Sequence, residues 1–119
     1  ELLRAAADTS LSSDRRIEIL KEATKADATG RAMNELARYY LQLNKRAKAR
    51  KWVRRALSRE EENADYRATY AAALWYGLQR PKAYKEARRA IEVDPEHVEG
   101  LYWSGRFVVW SWEMSFFTG

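Results

Sequence analysis

An all-α fold built from antiparallel helical hairpins is predicted by three features of the sequence. Only 5 Gly and 2 Pro occur among the 119 residues, so few positions would break a helix. Apolar residues recur at the three- and four-residue spacing of amphipathic helices. The chain also resembles itself after a shift of 34 residues, which is typical of an α-solenoid, a stack of helical hairpins.

The 34-residue shift aligns residues 30–63 with residues 64–97 without a gap. Small residues fall on small residues, where two helices would approach closely, and large residues fall on large ones, where they would fill the space between helices. The small pairs are Ala37 with Ala71, Ala49 with Ala83, and Ala56 with Ala90; the large pairs are Leu36 with Tyr70, Tyr40 with Leu74, and Leu57 with Ile91.

Breaks between the predicted helices occur at 44–45, 77–81 and 94–95, where turn-forming residues and the two prolines are found. Before the first repeat, residues 1–29 predict a degenerate hairpin with helices at 2–7 and 15–26 and with Ser13 or Asp14 as an N-cap. Residues 98–119 predict the first helix of a third, incomplete repeat. We expect the whole chain, 1–119, to be a single domain.

The segment ARRAIEVDPE at 87–96 and the repeated alanines resemble the tetratricopeptide repeat, whose length is also 34 residues. The first repeat departs from the family pattern because it reads REEEN at 59–63, where the family has a terminal proline. The resemblance implies a right-handed superhelix of hairpins. It also implies that the first helix of each hairpin lines a concave groove that holds a protein or an extended peptide.

An enzyme is disfavoured, because no nucleophile with a base, carboxylate pair or phosphate-binding loop is recognisable. The chain has no Cys and a single histidine, His97, which we interpret as a solvated turn residue. Glu60, Glu61 and Glu62 are adjacent, so on a helix they would not converge on one metal ion. We therefore expect no catalytic residue, no metal site and no cofactor.

A partner-binding concave face is predicted on the first helices of the hairpins. It is rich in aromatic residues and arginine, which are frequent in binding hot spots, although some of these aromatics could simply pack between hairpins. The chaperone-binding type of the family clamps a carboxylate with Lys and Asn, and this clamp is absent because Ala68 and Ala72 occupy the second repeat. The predicted contact residues are Arg31, Asn34, Arg38, Leu41, Trp75, Tyr76, Tyr102, Arg106 and Trp110.

One basic segment, 45–59, accounts for the formal net charge of +5. It contains eight Lys and Arg and no acidic residue, and the other residues hold 14 Lys and Arg against 17 Asp and Glu. The alternative function is therefore binding of an acidic polysaccharide, nucleic acid or an anionic membrane surface, with nucleic acid disfavoured because no base-reading motif is present. The segment could equally be a solvated helix face. Its patch residues are Lys45, Lys48, Lys51, Arg54, Arg55 and Arg59.

Residues 101–117 are apolar nearly all round, unlike the amphipathic helix that ends a soluble solenoid. A following hairpin, self-association through 101–117, or a docked partner could cover them. A membrane span is disfavoured because Arg106 and Glu113 interrupt a short stretch. Because no initiating Met is present, we expect a soluble domain excised from a longer protein, with its compartment and oligomeric state left open.

Overall fold

The computed structural model describes residues 2–8 and 10–118, and the side chains of all of these except residues 117 and 118. Within these residues all regular secondary structure is helical, without strands, which confirms the predicted all-α class. The helices are α1 (Leu2–Ala6), α2 (Ser13–Ala26), α3 (Arg31–Gln42), α4 (Arg46–Arg59), α5 (Ala64–Tyr76), α6 (Arg80–Val93) and α7 (Val98–Thr118).

The helices form two compact units, residues 1–61 and residues 62–119. In the first unit α1 packs on α2, α2 on α3, and α3 on α4. In the second unit α5 packs on α6, and α7 packs on both. Each unit has its own core, and the expectation that 1–119 is a single domain stays a prediction.

Small residues mark the closest approaches between paired helices, as the sequence predicts. In the first unit Ala37, Ala49 and Ala56 have no exposed surface. In the second unit Ala71 and Ala90 are equally inaccessible. The helices are held together by close packing of apolar side chains, so a larger residue at any of these alanines would force the pair apart.

The two hairpin turns have the same backbone geometry 34 residues apart. Asn44 and Leu78 both adopt a left-handed conformation, with φ of 63° and 65°. In the first turn the Lys45 N–H donates to the Tyr40 carbonyl over 2.8 Å, and in the second the Gln79 N–H donates to Leu74 over 2.9 Å. This six-to-one bond ends a helix by satisfying a carbonyl in its last turn. The two turns therefore share their backbone conformation, although their side chains differ.

Two predicted helix starts are wrong by one or two residues. The N-cap of α2 is Ser12, whose Oγ accepts from the Arg15 N–H over 3.3 Å, and not Ser13 or Asp14. Three neighbouring residues can each cap a helix, so composition alone does not choose among them. The second break ends earlier than predicted, because α6 begins at Arg80 and includes Pro81 in its first turn, where no backbone donor is needed.

Gly30 is the N-cap of α3, and its φ of 89° is left-handed. A Cβ added there would lie 3.0 Å from the Ala56 carbonyl oxygen of α4. Just before it, the Asp27 carboxylate accepts from the Thr29 Oγ1 over 2.6 Å, from the Thr29 N–H over 2.8 Å and from the Ala32 N–H over 3.1 Å. A glycine and an aspartate thus fix the entry of the chain into the helix that carries the candidate site.

Candidate functional site

A cleft of about 480 Å³ opens between α1, α2 and α3 in the first unit. Four arginines reach it from all three helices, and we call it the arginine cleft. Glu35 is the only carboxylate in its described wall, so the wall carries a formal charge of +3. Leu3, Ala6 and Leu20 also lie in the wall, but Ala6 and Leu20 are buried, so the surface that the cleft exposes is mostly polar. The four arginines are Arg4, Arg16, Arg31 and Arg38.

Arg16 is held in place by two contacts inside this cleft. Its Nε donates to the Ala6 carbonyl oxygen over 2.8 Å. Its guanidinium carbon lies 4.6 Å from the centre of the buried Tyr39 ring. A cation on an aromatic face with a fixed hydrogen bond loses little entropy when it meets a ligand, since its rotamer is already set. The remaining guanidinium N–H groups of Arg16 are thus pre-oriented donors.

The structure brings some of the predicted contact residues of the first unit together and separates others. Arg31 and Arg38 both line the arginine cleft. Asn34 lies on α3 but is buried, with 5% of its surface exposed, and within the described chain its Oδ1 has no hydrogen-bond partner. Leu41 is half-buried and does not line the cleft.

Arg4 and Arg16 are cleft residues that the sequence did not single out. They come from the degenerate hairpin at 1–29, which aligns poorly with the two repeats. Alignment with the repeats therefore does not predict which helix face carries these two arginines. One signal was available: Arg16 lies one helical turn before Leu20, and residues four apart share a helix face. That face packs towards α3, as the contact of Arg16 with Tyr39 shows.

In the second unit, Trp75 is a buried packing residue with 4% of its surface exposed. Its ring centre lies 5.9 Å from that of Trp103 and 6.3 Å from that of Trp110. The guanidinium of Arg80 sits 4.7 Å from the Trp75 ring centre, and that of Arg106 sits 5.5 Å from it. This cluster joins α5, α6 and α7, which is the packing role that the sequence left open as the alternative.

Tyr76 and Tyr102 are the exposed aromatics beside this cluster, at 48% and 53% exposure. Both contact the edge of Trp103, with ring centres 5.5 Å and 4.9 Å away. Trp103 itself is buried and was not among the predicted contact residues. Two half-exposed rings on a rigid aromatic base present contact area at low entropic cost.

His97 is not the solvated turn residue that the sequence suggested. Its side chain is only 12% exposed, and its Nε2 lies 2.6 Å from the Asp65 Oδ1. Its Nδ1 accepts from the Gly100 N–H over 3.1 Å, which leaves Nε2 to carry the hydrogen that Asp65 accepts. The sequence missed this contact because the partners are 32 residues apart. His97 therefore ties the start of α5 to the start of α7.

The basic residues of α4 form an exposed patch in the first unit. Lys51, Arg54 and Arg55, with Ser58, surround a shallow depression of about 370 Å³. The Arg55 guanidinium carbon lies 4.7 Å from the centre of the Trp52 ring, and the Lys48 Nζ lies 5.7 Å from that of Tyr40. Lys45 and Arg59 are also exposed. The residues that line this depression are all charged or polar.

Two aspartates near the ends of the helices of the first unit are stabilised in their charged form. Hydrogen bonds from the Thr29 hydroxyl and the Thr29 N–H hold the pKa of Asp27 below its ordinary value. The Ser10 N–H and hydroxyl do the same for the pKa of Asp8. Both carboxylates therefore stay ionised at neutral pH.

Among the described residues, no three His, Asp or Glu side chains come close enough to hold a metal ion. None of the described helices combines the length and the apolarity that a bilayer crossing needs. The arrangement that remains is a cleft lined by four arginines, of which Arg16 is held by two contacts, and a pair of exposed tyrosines on a tryptophan base.

Comparison with known proteins identifies the fold of the chain. No protein-family model matches the chain, and no curated protein matches it. Among solved structures, the first TPR of Spaghetti (RPAP3), bound to the HSP90 peptide SRMEEVD, superposes with a TM-score of 0.75 at 20% identity, covering 81% of this chain and 77% of that one. The chain has the tetratricopeptide-repeat fold.

Two further tetratricopeptide-repeat structures agree with this assignment. The second TPR domain of human RPAP3, in complex with the HSP70 peptide SGPTIEEVD, gives a TM-score of 0.73 at 18% identity and covers 80% of each chain. The first TPR domain of human RPAP3 gives 0.75 at 20% identity, covering 81% of this chain and 76% of that one. The predicted α-solenoid class and the resemblance to the tetratricopeptide repeat are thereby confirmed.

Proposed function

We propose that this chain is a non-enzymatic interaction scaffold that binds a partner protein or an extended peptide. The observation that carries the proposal is the arginine cleft on α3, in a fold whose solved examples include two that hold short peptides. A cleft lined by several cations, one of them already oriented, suits recognition of a peptide, because charged donors fix the orientation of the bound chain. The concave-face assignment is part of this proposal.

The proposed contact residues differ in their exposure. Arg31, Tyr76 and Tyr102 are exposed and can touch a partner directly. Trp75 is buried, so it acts by supporting the rings above it. Trp110 is half-buried, and Arg106 lies against the same cluster.

A capture experiment with the full-length protein tests the scaffold function. Tagged wild-type protein is compared with a variant that combines Tyr76→Ala and Tyr102→Ala, and captured proteins are identified by mass spectrometry. We expect the variant to lose a specific partner that the wild type retains. The matched control is Leu78→Ala with Val93→Ala, which removes two exposed apolar residues outside the proposed contact faces. Partner capture that is equal in both variants and in the wild type would contradict the proposal.

The basic patch on α4 supports a second candidate function, binding of an anionic polymer or an anionic membrane surface. Its support is the shallow depression that Lys51, Arg54 and Arg55 line together with Ser58. Reversing Lys51 and Arg54 to Glu should abolish binding to vesicles that contain an anionic phospholipid and to an acidic polysaccharide, and wild-type binding should fall steeply with salt. Binding that is insensitive to both changes would exclude this function.

We also propose self-association through the exposed face of α7. Gly105 corresponds to Ala37 and Ala71 under the 34-residue shift, and those alanines are fully buried against a second helix. A Cβ on Gly105 would meet no described atom within 4 Å. The neighbouring Val108, Val109, Trp112 and Phe116 are exposed. This face therefore has room for one more helix.

A further inference from the structure

We propose that α7 pairs with the α7 helix of a second copy of this chain in antiparallel orientation, with Arg106 of each copy facing Glu113 of the other. This geometry rests on the self-association proposed above, and it adds the direction of the two helices and the residues that meet. All of these residues belong to the second unit.

The exposed side of α7 carries an apolar stripe along most of the helix. Residues three or four positions apart lie on one side of a helix, and the stripe consists of Leu101, Gly105, Val108, Trp112 and Phe116. Its four large side chains are each at least 48% exposed. Spacing of this kind forms the seam between two paired helices, so the stripe suits a second helix better than a compact ligand.

The charged residues beside the stripe select the direction of that second helix. Arg106 and Glu113 are exposed and seven positions apart, so they lie on the same flank of the stripe, whereas the other flank carries Ser104, Ser111 and Ser115. In an antiparallel pair each flank faces the same flank of the other helix, and in a parallel pair it faces the opposite flank. Antiparallel pairing therefore sets opposite charges against each other, whereas parallel pairing would set both against serines.

Both charges are placed for a contact across this interface. Among the described residues that line a shallow depression of about 560 Å³ on α7, Glu113 is the only charged one. A carboxylate that becomes covered by apolar surface needs a cation, because its desolvation is otherwise costly. The guanidinium carbon of Arg106 lies 5.5 Å from the centre of the Trp75 ring, which holds the cation on its flank. Two-fold symmetry then makes the same ion pair twice.

The side-chain sizes agree with the register that the charges select. Setting Arg106 opposite Glu113 of the second copy puts the two-fold axis just after Val109. With a rise of about 1.5 Å per residue, Trp112 of one copy then lies about 3 Å along the axis from Gly105 of the other. A Cβ on Gly105 would meet no described atom within 4 Å, so an indole ring has room beside it. Parallel pairing in register would instead crowd two tryptophans and leave a gap between two glycines.

Disulfide trapping tests the orientation, because the sequence has no Cys that would compete. Val109→Cys and Leu101→Cys are each oxidised under mild conditions in the full chain, and the disulfide-linked dimer is measured by non-reducing electrophoresis. In the antiparallel pair the two copies of position 109 lie beside the axis, and the two copies of position 101 lie about 25 Å apart. A disulfide needs Cα atoms within about 7 Å. We expect Val109→Cys to be trapped about tenfold faster than Leu101→Cys.

A charge swap tests the ion pair by sedimentation velocity. Glu113→Arg sets arginine against arginine at both ends of the contact and should raise the dissociation constant about tenfold. Adding Arg106→Glu restores both pairs at the wild-type net charge and should return the dissociation constant to within about threefold of the wild type. Glu92→Arg makes the same change of charge on the exposed surface of α6 and should alter it less than about twofold.

Circular dichroism identifies any loss of helix in these variants, since Arg106→Glu also removes the contact with Trp75. Equal trapping at positions 101 and 109, or a folded charge-swap variant that stays as weak as Glu113→Arg, would overturn this geometry and leave self-association standing. Equal weakening by Glu113→Arg and Glu92→Arg would reduce the ion pair to general repulsion. A monomeric wild type without disulfide dimer in either cysteine variant would overturn self-association as well, and the stripe would then belong to another polypeptide.

Discussion

Leu78 adopts a backbone conformation that suits glycine or asparagine. Its φ is 65°, a left-handed conformation that costs leucine free energy. The residue is 74% exposed, so burial of its side chain offsets little of this cost. We predict that Leu78→Asn raises the free energy of unfolding by about 1 kcal/mol, because asparagine tolerates the left-handed region. Urea unfolding followed by circular dichroism measures the change.

The equivalent residue in the other hairpin provides the reverse test. Asn44 has nearly the same φ, 63°, and makes the equivalent turn. Asn44→Leu should lower the free energy of unfolding by a similar amount, about 1 kcal/mol. If both substitutions shift stability in the same direction, conformational strain is not the cause.

Asp27 links the stability of the first unit to pH. Thr29 donates to its carboxylate in the folded chain, so the folded pKa lies below the ordinary value of 3.8. The carboxylate therefore contributes stability that is fully present above about pH 4 and is lost as the pH falls through the folded pKa. A carbon-detected NMR titration should show Asp27 titrating below the ordinary range. Asp27→Asn should flatten this acid dependence, and an unchanged acid profile would contradict the assignment.

Among the helices of the second unit, α5 and α6 share a buried ion pair. Arg67 Nη1 lies 2.8 Å from Glu86 Oε2, and the two side chains are 13% and 12% exposed. Removing one partner of a buried pair leaves the other charge desolvated. Glu86→Ala should therefore lower the free energy of unfolding by about 3 kcal/mol, measured by urea denaturation.

An exposed pair on α2 provides the matched control for that loss. Arg15 and Glu18 are 3.0 Å apart, with side chains 61% and 67% exposed. Glu18→Ala removes the same kind of carboxylate and should cost less than about 1 kcal/mol, because water already screens the pair. Equal losses from both substitutions would show that burial does not set the strength of the α5 to α6 pair.

The helices were predictable from the sequence because their signals are local and repeated. Ala37 and Ala71 mark the same close contact, and the period alone assigns them. The sequence does not locate the N-cap of α2, because Ser12, Ser13 and Asp14 are all favourable N-cap residues. Tertiary partners were beyond the sequence, since a repeat pattern does not say which side chain from a distant segment reaches a given helix.

Over the whole molecule, the excess of positive charge in the sequence pointed to α4, but the structure offers a second cationic site. Arg4 and Arg16 lie in segments with nearby acidic residues, so no run of charge marks them. Only the packing of α1 and α2 against α3 gathers them with Arg31 and Arg38. Charge runs show where a chain is basic, whereas an anion site depends on where separate cations converge.

The second half of α7 carries an exposed apolar patch. Trp112 and Phe116 are 74% and 81% exposed on α7, near Val109 at 57%. An apolar patch of this kind favours association, because burying it removes apolar surface from water. We predict that the protein associates reversibly at high micromolar concentration, as measured by sedimentation velocity.

In the same experiment, Trp112→Gln with Phe116→Gln should shift the protein towards the monomer by about tenfold in dissociation constant, since two large apolar side chains leave the contact. Leu78→Gln with Val93→Gln removes two exposed apolar residues outside α7 and should leave the dissociation constant unchanged. If the dissociation constant rises equally in both variants, the association is a non-specific effect of exposed apolar surface. If it rises only in the first variant, α7 is the contact. A wild type that stays monomeric throughout would contradict self-association through this face and leave it as a docking site for another polypeptide.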